Sequence, residues 1–205
     1  MIFGLPDRVS VRQNLPKKDL YKLFQIPVKE RDLFDDTVHK MTIIGQISPE
    51  TVNIPAGDVK AIFIFDVEMQ NRHFDIDKIV KPLSKIDQKI VFMLRYEDEC
   101  TPLMFMNVPI IGKTAREYEI NIRLTGLDMD SVWENLVIDL GDIEPHQGRT
   151  LIQQIDFQEE LKKKQKELEK LEKKMHNSVQ NRDKREIFSQ IKYLRNIIED
   201  MNKIE

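Results

Sequence analysis

The C-terminal quarter of the chain carries a spacing of apolar residues that a helix places on one side. From Phe157, apolar side chains fall at alternating intervals of four and three residues, interrupted only by Lys164. This first seam contains Phe157, Leu161, Leu168, Leu171 and Met175. A second seam with the same spacing contains Ile187, Ile191, Leu194, Ile198 and Met201. We therefore predict two helices that fold back on each other as an antiparallel coiled-coil hairpin.

Local signals set the expected limits of this hairpin. Asp156 and Glu159 match a capping box, so we expect the first helix to begin there. The gap at 177–184 is polar and contains two Asn, which suits a tight reversal of the chain. We divide the chain into an α/β globular domain at 1–142, a connector at 143–155 and the helical hairpin at 156–205.

The two predicted helices differ in the surface that they expose. The first interleaves Lys and Glu outside its seam, as a solvated face does. The second adds Phe188, Ile197 and Ile204 on the flanks of its seam, which makes the apolar stripe wider than one helix can cover. We expect a protein partner, or a second copy of the chain, to cover these side chains. The lysines from Lys162 to Lys174 leave open a nucleic-acid adaptor.

The residues before the hairpin predict a mixed α/β domain. Val59–Met69 is apolar on both alternating faces for most of its length, which is typical of a central strand covered on both sides. Asp75–Ile86 has apolar residues at helical spacing, with Asp75 as a cap and Pro82 shortening the helix. Strands are expected at His39–Ile47 and in a hairpin formed by Lys89–Tyr96 and Thr101–Val108.

The end of this domain gives two further predictions. Tyr118–Leu124 alternates apolar and polar residues, as in a half-exposed strand. Asp130 is expected to cap a last helix that places Trp133 in the core, and Asp128 is likewise interpreted as a cap rather than a metal ligand. The fold class is α+β, a mixed sheet with flanking helices, followed by the hairpin.

Charge and composition exclude several classes of protein. Residues 1–156 carry 19 basic and 25 acidic side chains, or −6, whereas residues 157–205 carry 13 and 10, or +3. An acidic body repels the phosphate backbone, so a nucleic-acid role falls on the C-terminal segment or on a local patch. The longest apolar run is about five residues, far below a membrane span. Residues 1–7 show no secretory signal, so we expect a cytoplasmic protein.

Cysteine and histidine offer no basis for a metal or disulfide site. One cysteine, Cys100, cannot form an internal disulfide, and four scattered histidines lack ligand spacing. We expect the acidic tract around Cys100 to raise its pKa, which disfavours a nucleophilic thiolate. We predict no cofactor.

Asp66 and Glu68 are the strongest enzymatic candidate. Both fall on one face of the predicted central strand, as in restriction-type nucleases, where acids hold Mg²⁺ beside a lysine or glutamine. Strands that leave a core also commonly turn polar at their ends. No second acidic position can be placed, so a degenerate or active nuclease remains the alternative to an interaction protein.

Two motifs with lysine have simpler explanations. Gly112-Lys113-Thr114 ends like a P-loop, but Asn107 stands where the loop needs glycine and a strand follows, so we predict a surface loop. Lys17 and Lys18 lie in Leu15-Pro16-Lys17-Lys18-x-x-Tyr21 at a helix start. They can hold a phosphate or a partner carboxylate, or remain solvated.

The order of several motifs resembles a bacterial and archaeal family known only as a domain of unknown function. The matching features are the Leu15-Pro16-Lys17-Lys18-x-x-Tyr21 opening, Asn53-Ile54-Pro55, Ile86-Asp87, Gly126-Leu127-Asp128 before Trp133, and the charged hairpin. Members are often encoded beside helicases and DNA methyltransferases of restriction or defence systems. The resemblance implies an accessory subunit and assigns no catalytic residue.

These observations lead to one hypothesis with two alternatives. We expect a non-catalytic subunit whose hairpin docks a larger protein, such as a helicase or methyltransferase of a restriction or antiviral defence system. The predicted contact residues are Phe188, Ile197, Ile204, Lys17 and Lys18. The alternatives are the nuclease-like domain and the nucleic-acid adaptor.

Overall fold

The computed structural model describes residues 2–177 and 181–203. The chain forms two compact units, Met1–Glu144 and Pro145–Glu205. The first unit contains a mixed sheet and five helices, and the second contains a pair of long helices. The predicted α+β domain with a mixed sheet and flanking helices is confirmed.

Seven strands form one sheet in the first unit. They are β1 (Ser10–Leu15), β2 (Val38–Ile47), β3 (Ile62–Met69), β4 (Lys89–Tyr96), β5 (Glu99–Phe105), β6 (Pro109–Ile111) and β7 (Ala115–Arg116). The order is β1-β2-β3-β4-β5-β6, with β7 also paired to β5. Only β3 and β4 are parallel among these pairs, because a helical crossover connects them.

Five helices accompany the sheet. They are α1 (Lys17–Leu23), α2 (Val28–Thr37), α3 (Pro49–Val52), α4 (Ile76–Leu83) and α5 (Met129–Gly141). Short 3₁₀ turns lie at Ile2–Gly4 and Glu117–Glu119. As predicted, the side chain of Asp75 caps α4 by accepting a hydrogen bond from the Asp77 N–H at 3.2 Å. Pro82 lies in the last turn, and the helix ends at Leu83.

The predicted central strand is β3, and both of its faces are covered. Phe65 and Val67 join a core with residues of α1, α2 and α4 on one face. Ile62 and Ile64 are fully buried on the opposite face. Helix α5 packs on this second face, where the Lys89 Nζ lies 5.6 Å from the centroid of the Trp133 ring. Because both faces are covered along most of its length, β3 is apolar on both, except at partly exposed Asp66 and Glu68.

The prediction of a strand at Tyr118–Leu124 is wrong. After the 3₁₀ turn at Glu117–Glu119, the chain runs without strand pairing through 120–127. The N–H of Ile122 donates a hydrogen bond of 2.8 Å to the Phe3 carbonyl, and the Ile122 side chain is buried. Tyr118 is exposed. The alternation therefore reflects an extended segment packed against the unit rather than a strand of the sheet.

The prediction that Asp130 caps α5 is also wrong, because Asp128 occupies that position. The Asp128 carboxylate accepts a hydrogen bond of 2.7 Å from the N–H of Ser131. Asp130 instead accepts hydrogen bonds from the N–H groups of Asp58 and Val59, at 2.9 and 2.7 Å. Asp130 thus ties the segment before β3 to α5.

The second unit contains α6 (Leu151–Asn177) and α7 (Asn181–Lys203). Helix α6 begins before Asp156, where we expected the connector to continue. The capping box is formed by Thr150 and Gln153, whose side chains accept hydrogen bonds from each other's N–H groups at 3.0 and 3.3 Å. Asp156 and Glu159 lie inside α6. Asp156 and Glu159 have the spacing of a capping box, but the free N–H groups lie at the helix start, where Thr150 and Gln153 accept hydrogen bonds from them.

Helix α7 runs back along α6. Arg195 of α7 contacts Glu172 of α6, with 2.6 Å between the Nη2 and Oε1 atoms. Ile187, Ile191 and Leu194 of the second seam are buried, at 5%, 2% and 5% exposure. The predicted long helix pair is therefore present. Of the segment 177–184 where we predicted the reversal, residues 178–180 lie outside the described residues.

Candidate functional site

Helix α7 exposes large side chains beside its buried seam. Phe188 is 57% exposed, and Ile197 is half-buried. These two residues are nine positions apart, or two and a half helical turns, so they lie on opposite sides of α7. One partner helix cannot cover both. Ile204, the third predicted contact residue, lies outside the described residues.

Tyr193 belongs to the same flank as Ile197, and the sequence analysis missed it. Tyr193 is 70% exposed and lies four residues before Ile197, which places the two side chains next to each other on α7. Its spacing to Ile197 was visible in the sequence. Only the structure shows that the ring is left in solvent, because the helix pair buries Ile191 and Leu194 on either side of Tyr193 in the sequence and leaves Tyr193 itself uncovered. We call Tyr193 and Ile197 the docking flank.

The candidate carboxylates of β3 lie together on one face, as predicted, but an arginine occupies the first of them. Arg95 of β4 donates from Nε to Oδ1 of Asp66 at 2.9 Å and from Nη2 to Oδ2 at 2.8 Å. The side chains of Arg95 and Asp66 are 22% and 19% exposed. This hydrogen bonding raises the pKa of Arg95. Glu68 is more exposed and lies 3.7 Å from the Arg95 Nη2.

The register of the sheet adds two residues from β2 to this face. Thr42 stands opposite Asp66, and Lys40 stands opposite Glu68. The face therefore holds two carboxylates, an arginine, a lysine and a hydroxyl. Among residues 2–177 and 181–203, no group of three or more His, Cys, Asp or Glu side chains could hold a metal ion. The arrangement suits an internal ion pair, with Arg95 taking both oxygens that a cation would use.

Cys100 is buried in β5 on the same side of the sheet as Arg95, its register partner. Burial, and secondarily the charge of Asp66, raise the pKa of the thiol to about 12. The direction agrees with our expectation, but the main cause is burial rather than the acidic tract. The thiol is protonated at neutral pH.

Lys17 contacts a carboxylate of its own chain. Its Nζ lies 3.2 Å from Oδ1 of Asp35 on α2, while the hydroxyl of Tyr21 donates to Oδ2 of Asp35 at 2.6 Å. This hydrogen bond raises the pKa of Tyr21. The guanidinium carbon of Arg31 lies 4.7 Å from the Tyr21 ring centroid. The motif around Lys17 thus joins α1 to α2, whereas Lys18 is exposed.

The Gly112-Lys113-Thr114 segment is a loop that precedes β7 rather than a helix. A Cβ atom on Gly112 would lie 2.0 Å from the Leu140 carbonyl oxygen, so the close approach of two backbones requires glycine. Lys113 pairs with Asp142 at 2.6 Å, and the hydroxyls of Thr114 and Thr101 lie 2.7 Å apart. These contacts join the loop to its own unit and provide no phosphate cradle.

The described residues define an α+β domain built on one mixed sheet, together with a helix pair that exposes aromatic side chains on α7. None of the described helices is long and apolar enough to cross a membrane. The family model described as a domain of unknown function, DUF4391, matches residues 3–108, just over half of the chain. The chain belongs to the DUF4391 family. No curated protein and no solved structure matches it.

The family match and the sequence resemblance cover different lengths. The match includes β1 to β5 and α1 to α4, so it contains Lys17, Asp66 and Arg95. It ends before Gly126, Trp133 and the helix pair. The resemblance that we saw in those later motifs therefore receives no support from the family match.

Proposed function

We propose that this protein is a non-catalytic interaction subunit that docks a larger protein through the helix pair. The observation that carries the proposal is the exposed docking flank, where Tyr193 is 70% exposed beside half-buried Ile197. Burying a large side chain that stands in water stabilises an assembly by roughly 1.5–3 kcal/mol. A partner surface that covers both residues therefore stabilises the complex by removing them from water.

The helix pair supplies a rigid support for this flank. The seam residues Ile187, Ile191 and Leu194 are buried, and we propose that they interdigitate with the α6 seam as in a coiled coil. Leu161, Leu168 and Leu171 of α6 are only half-buried. A two-helix unit has a thin core, so docking against another protein adds to its stability.

The class of partner comes from the sequence resemblance alone. Relatives encoded beside helicases and DNA methyltransferases imply that the partner is one of these proteins in a restriction or antiviral defence system. Lys18, which is exposed, remains a proposed contact for an acidic group of the partner, and Ile204 remains a proposed apolar contact. Phe188, the other predicted contact, lies on the opposite side of α7, so a partner seated on the docking flank leaves it uncovered. Lys17 contributes only if the partner displaces Asp35, because Lys17 is already paired.

The test is copurification from the native host with two matched double variants. In the first, Tyr193→Glu and Ile197→Glu place two charges on the docking flank. In the second, Lys192→Ala and Asn202→Glu make the same change in net charge at exposed positions of the same helix, on the side away from that flank. A helicase or methyltransferase, identified by mass spectrometry, should copurify with the wild type and the second variant and be lost from the first.

Two other results would count against the proposal. Equal recovery of the partner with both variants, each with unchanged helicity by circular dichroism, would remove the docking flank from the interface. A wild-type dimer in sedimentation that only the first variant dissociates would mean that the flank binds a second copy of the chain rather than a larger partner.

A metal-dependent nuclease at Asp66 and Glu68 is the alternative proposal. It is supported by the register that places Lys40 opposite Glu68 on the face that carries both acids, since nucleases of this type use acids beside a lysine. The two hydrogen bonds from Arg95 to Asp66 oppose it. Cleavage assays with divalent metals distinguish the nuclease from the interaction subunit.

A further inference from the structure

Phe188 lies in a surface depression formed by the end of α6 and the first turns of α7. The residues that line it are Met175, His176, Lys184, Arg185, Phe188 and Ser189. We call these six residues the basic tip. Half of them are basic residue types and none is acidic. Phe188 faces away from the docking flank, since it lies on the opposite side of α7 from Ile197.

The cations of the basic tip have no carboxylate partners among the described side chains. Lys184 and Arg185 are both exposed, and neither forms an ion pair with the side chains described at 3–176 and 184–203. Arg195, further along α7, is instead paired with Glu172. Among the described side chains, no carboxylate therefore neutralises the positive charge beside Phe188.

The composition around the exposed ring decides which ligand fits. The centre of a protein interface is apolar and depleted of charged residues. At the basic tip, the single aromatic ring stands among residues of basic types instead. One exposed aromatic ring among cations is, by contrast, the arrangement on which a nucleic-acid base stacks while basic side chains hold the adjacent phosphates.

We propose that the basic tip binds single-stranded nucleic acid, with a base stacked on Phe188 and phosphates held by Lys184 and Arg185. This activity is separate from protein docking through Tyr193 and Ile197. It also differs from an adaptor that uses the lysines of Lys162 to Lys174, because those lysines alternate with acidic residues along α6. Binding by the basic tip needs no particular base, because every base has a face that stacks.

The experiment measures fluorescence anisotropy of a labelled oligothymidylate with the full-length protein. We expect binding at low salt. For two phosphate contacts on a single strand, a fourfold rise in salt should weaken binding about sevenfold. Phe188→Ala should weaken it roughly fivefold to a hundredfold through lost stacking, and Phe188→Tyr should retain it.

Two control variants test whether binding depends on the basic tip itself rather than on the net charge of the protein or on any exposed aromatic ring. Lys184→Glu with Arg185→Glu should abolish binding, whereas Lys162→Glu with Lys163→Glu, which changes the net charge equally on exposed positions of α6, should have a small effect. Tyr193→Ala removes an exposed aromatic ring from the other flank and should leave binding unchanged. All variants should keep the wild-type helicity.

Several results would overturn the proposal. These are no binding of the oligonucleotide by the wild type at about 50 mM salt, equal loss in the two charge-reversal variants, or unchanged binding in Phe188→Ala. Competition by a polyglutamate peptide as strong as that by unlabelled oligonucleotide would show that the basic tip recognises acidic protein surfaces instead.

Discussion

Arg95 and Asp66 form a two-point ion pair between neighbouring parallel strands. Nε and Nη2 of Arg95 donate to the two carboxylate oxygens of Asp66 at 2.9 and 2.8 Å. About four-fifths of each side chain is buried. A pair with this geometry is both strong and specific, because the planar guanidinium matches the carboxylate at two points. It explains why acids on the central strand need not indicate metal chemistry.

The first prediction concerns the stability that this pair provides. Asp66→Ala should lower the free energy of unfolding by about 2 kcal/mol, because it leaves mostly buried Arg95 donors without their acceptors. Glu68→Ala should change it by less than about 0.5 kcal/mol, because Glu68 makes one longer contact from an exposed position. Urea unfolding measures both. Equal losses in the two variants would contradict the assigned roles.

The second prediction is the absence of metal-dependent cleavage. Purified protein should leave single- and double-stranded DNA intact in Mg²⁺ or Mn²⁺, because Arg95 takes both Asp66 oxygens and Thr42, opposite Asp66, supplies no carboxylate. The measurement is a time course on a gel. Cleavage that disappears in the Asp66→Ala and Glu68→Ala double variant, with the fold intact, would establish the nuclease and refute the non-catalytic proposal.

The third prediction concerns Trp133 in α5. Its side chain is 2% exposed, and its ring N–H donates to the Met106 sulfur at 3.1 Å. Trp133→Ala should reduce stability by about 3–5 kcal/mol through lost burial and the resulting cavity. Leu127→Ala, at a position 88% exposed, should have an effect within about 0.5 kcal/mol. Thermal unfolding of the two variants tests this, and a Trp133→Ala protein as stable as the control would place Trp133 outside the core.

The fourth prediction follows from the burial of Cys100. Because its pKa is raised to about 12, the thiol should resist alkylation at about pH 8.5 in the folded protein and react after unfolding. Between about pH 9 and 12 the unfolded chain loses the thiol proton while the folded chain keeps it. Stability should therefore fall as pH rises through this window.

The matched control for this effect is Cys100→Ala, which removes the titrating group. Its unfolding free energy, measured by urea titration at each pH, should fall less steeply than that of the wild type above about pH 9. Parallel curves for the two proteins, or rapid alkylation of the folded wild type, would show that Cys100 is not protected by burial.

Elements with a strong local pattern were predictable from the sequence. The apolar run of β3 predicts a central strand, because a strand that is apolar on both faces is stable only in a sheet that is covered on both sides. The seams of α6 and α7 repeat at a period that only a helix converts into a single stripe. Strand β1 had no such pattern, because five of its six residues are exposed at the edge of the sheet.

The errors of prediction lie where two nearby residues compete for one role. Asp128 and Asp130 both suit a helix cap, and only the position of the segment at Asp58 and Val59 shows which carboxylate is used elsewhere. The extended chain around Ile122 alternates as a strand does, but the Ile122 N–H bonds to the carbonyl of Phe3 in a 3₁₀ turn rather than to a strand. Spacing along the chain does not distinguish these outcomes.

The sequence by itself determined the two-part organisation, the central strand, the long helix pair and the excess of apolar residues beside the α7 seam. Each depends on contacts between residues a few positions apart, whose geometry the backbone period dictates. Only the tertiary structure decided that Arg95 neutralises Asp66, since 29 residues separate them and the parallel register of β3 and β4 brings them together. Long-range pairing depends on how strands align in space, and no local period encodes that alignment.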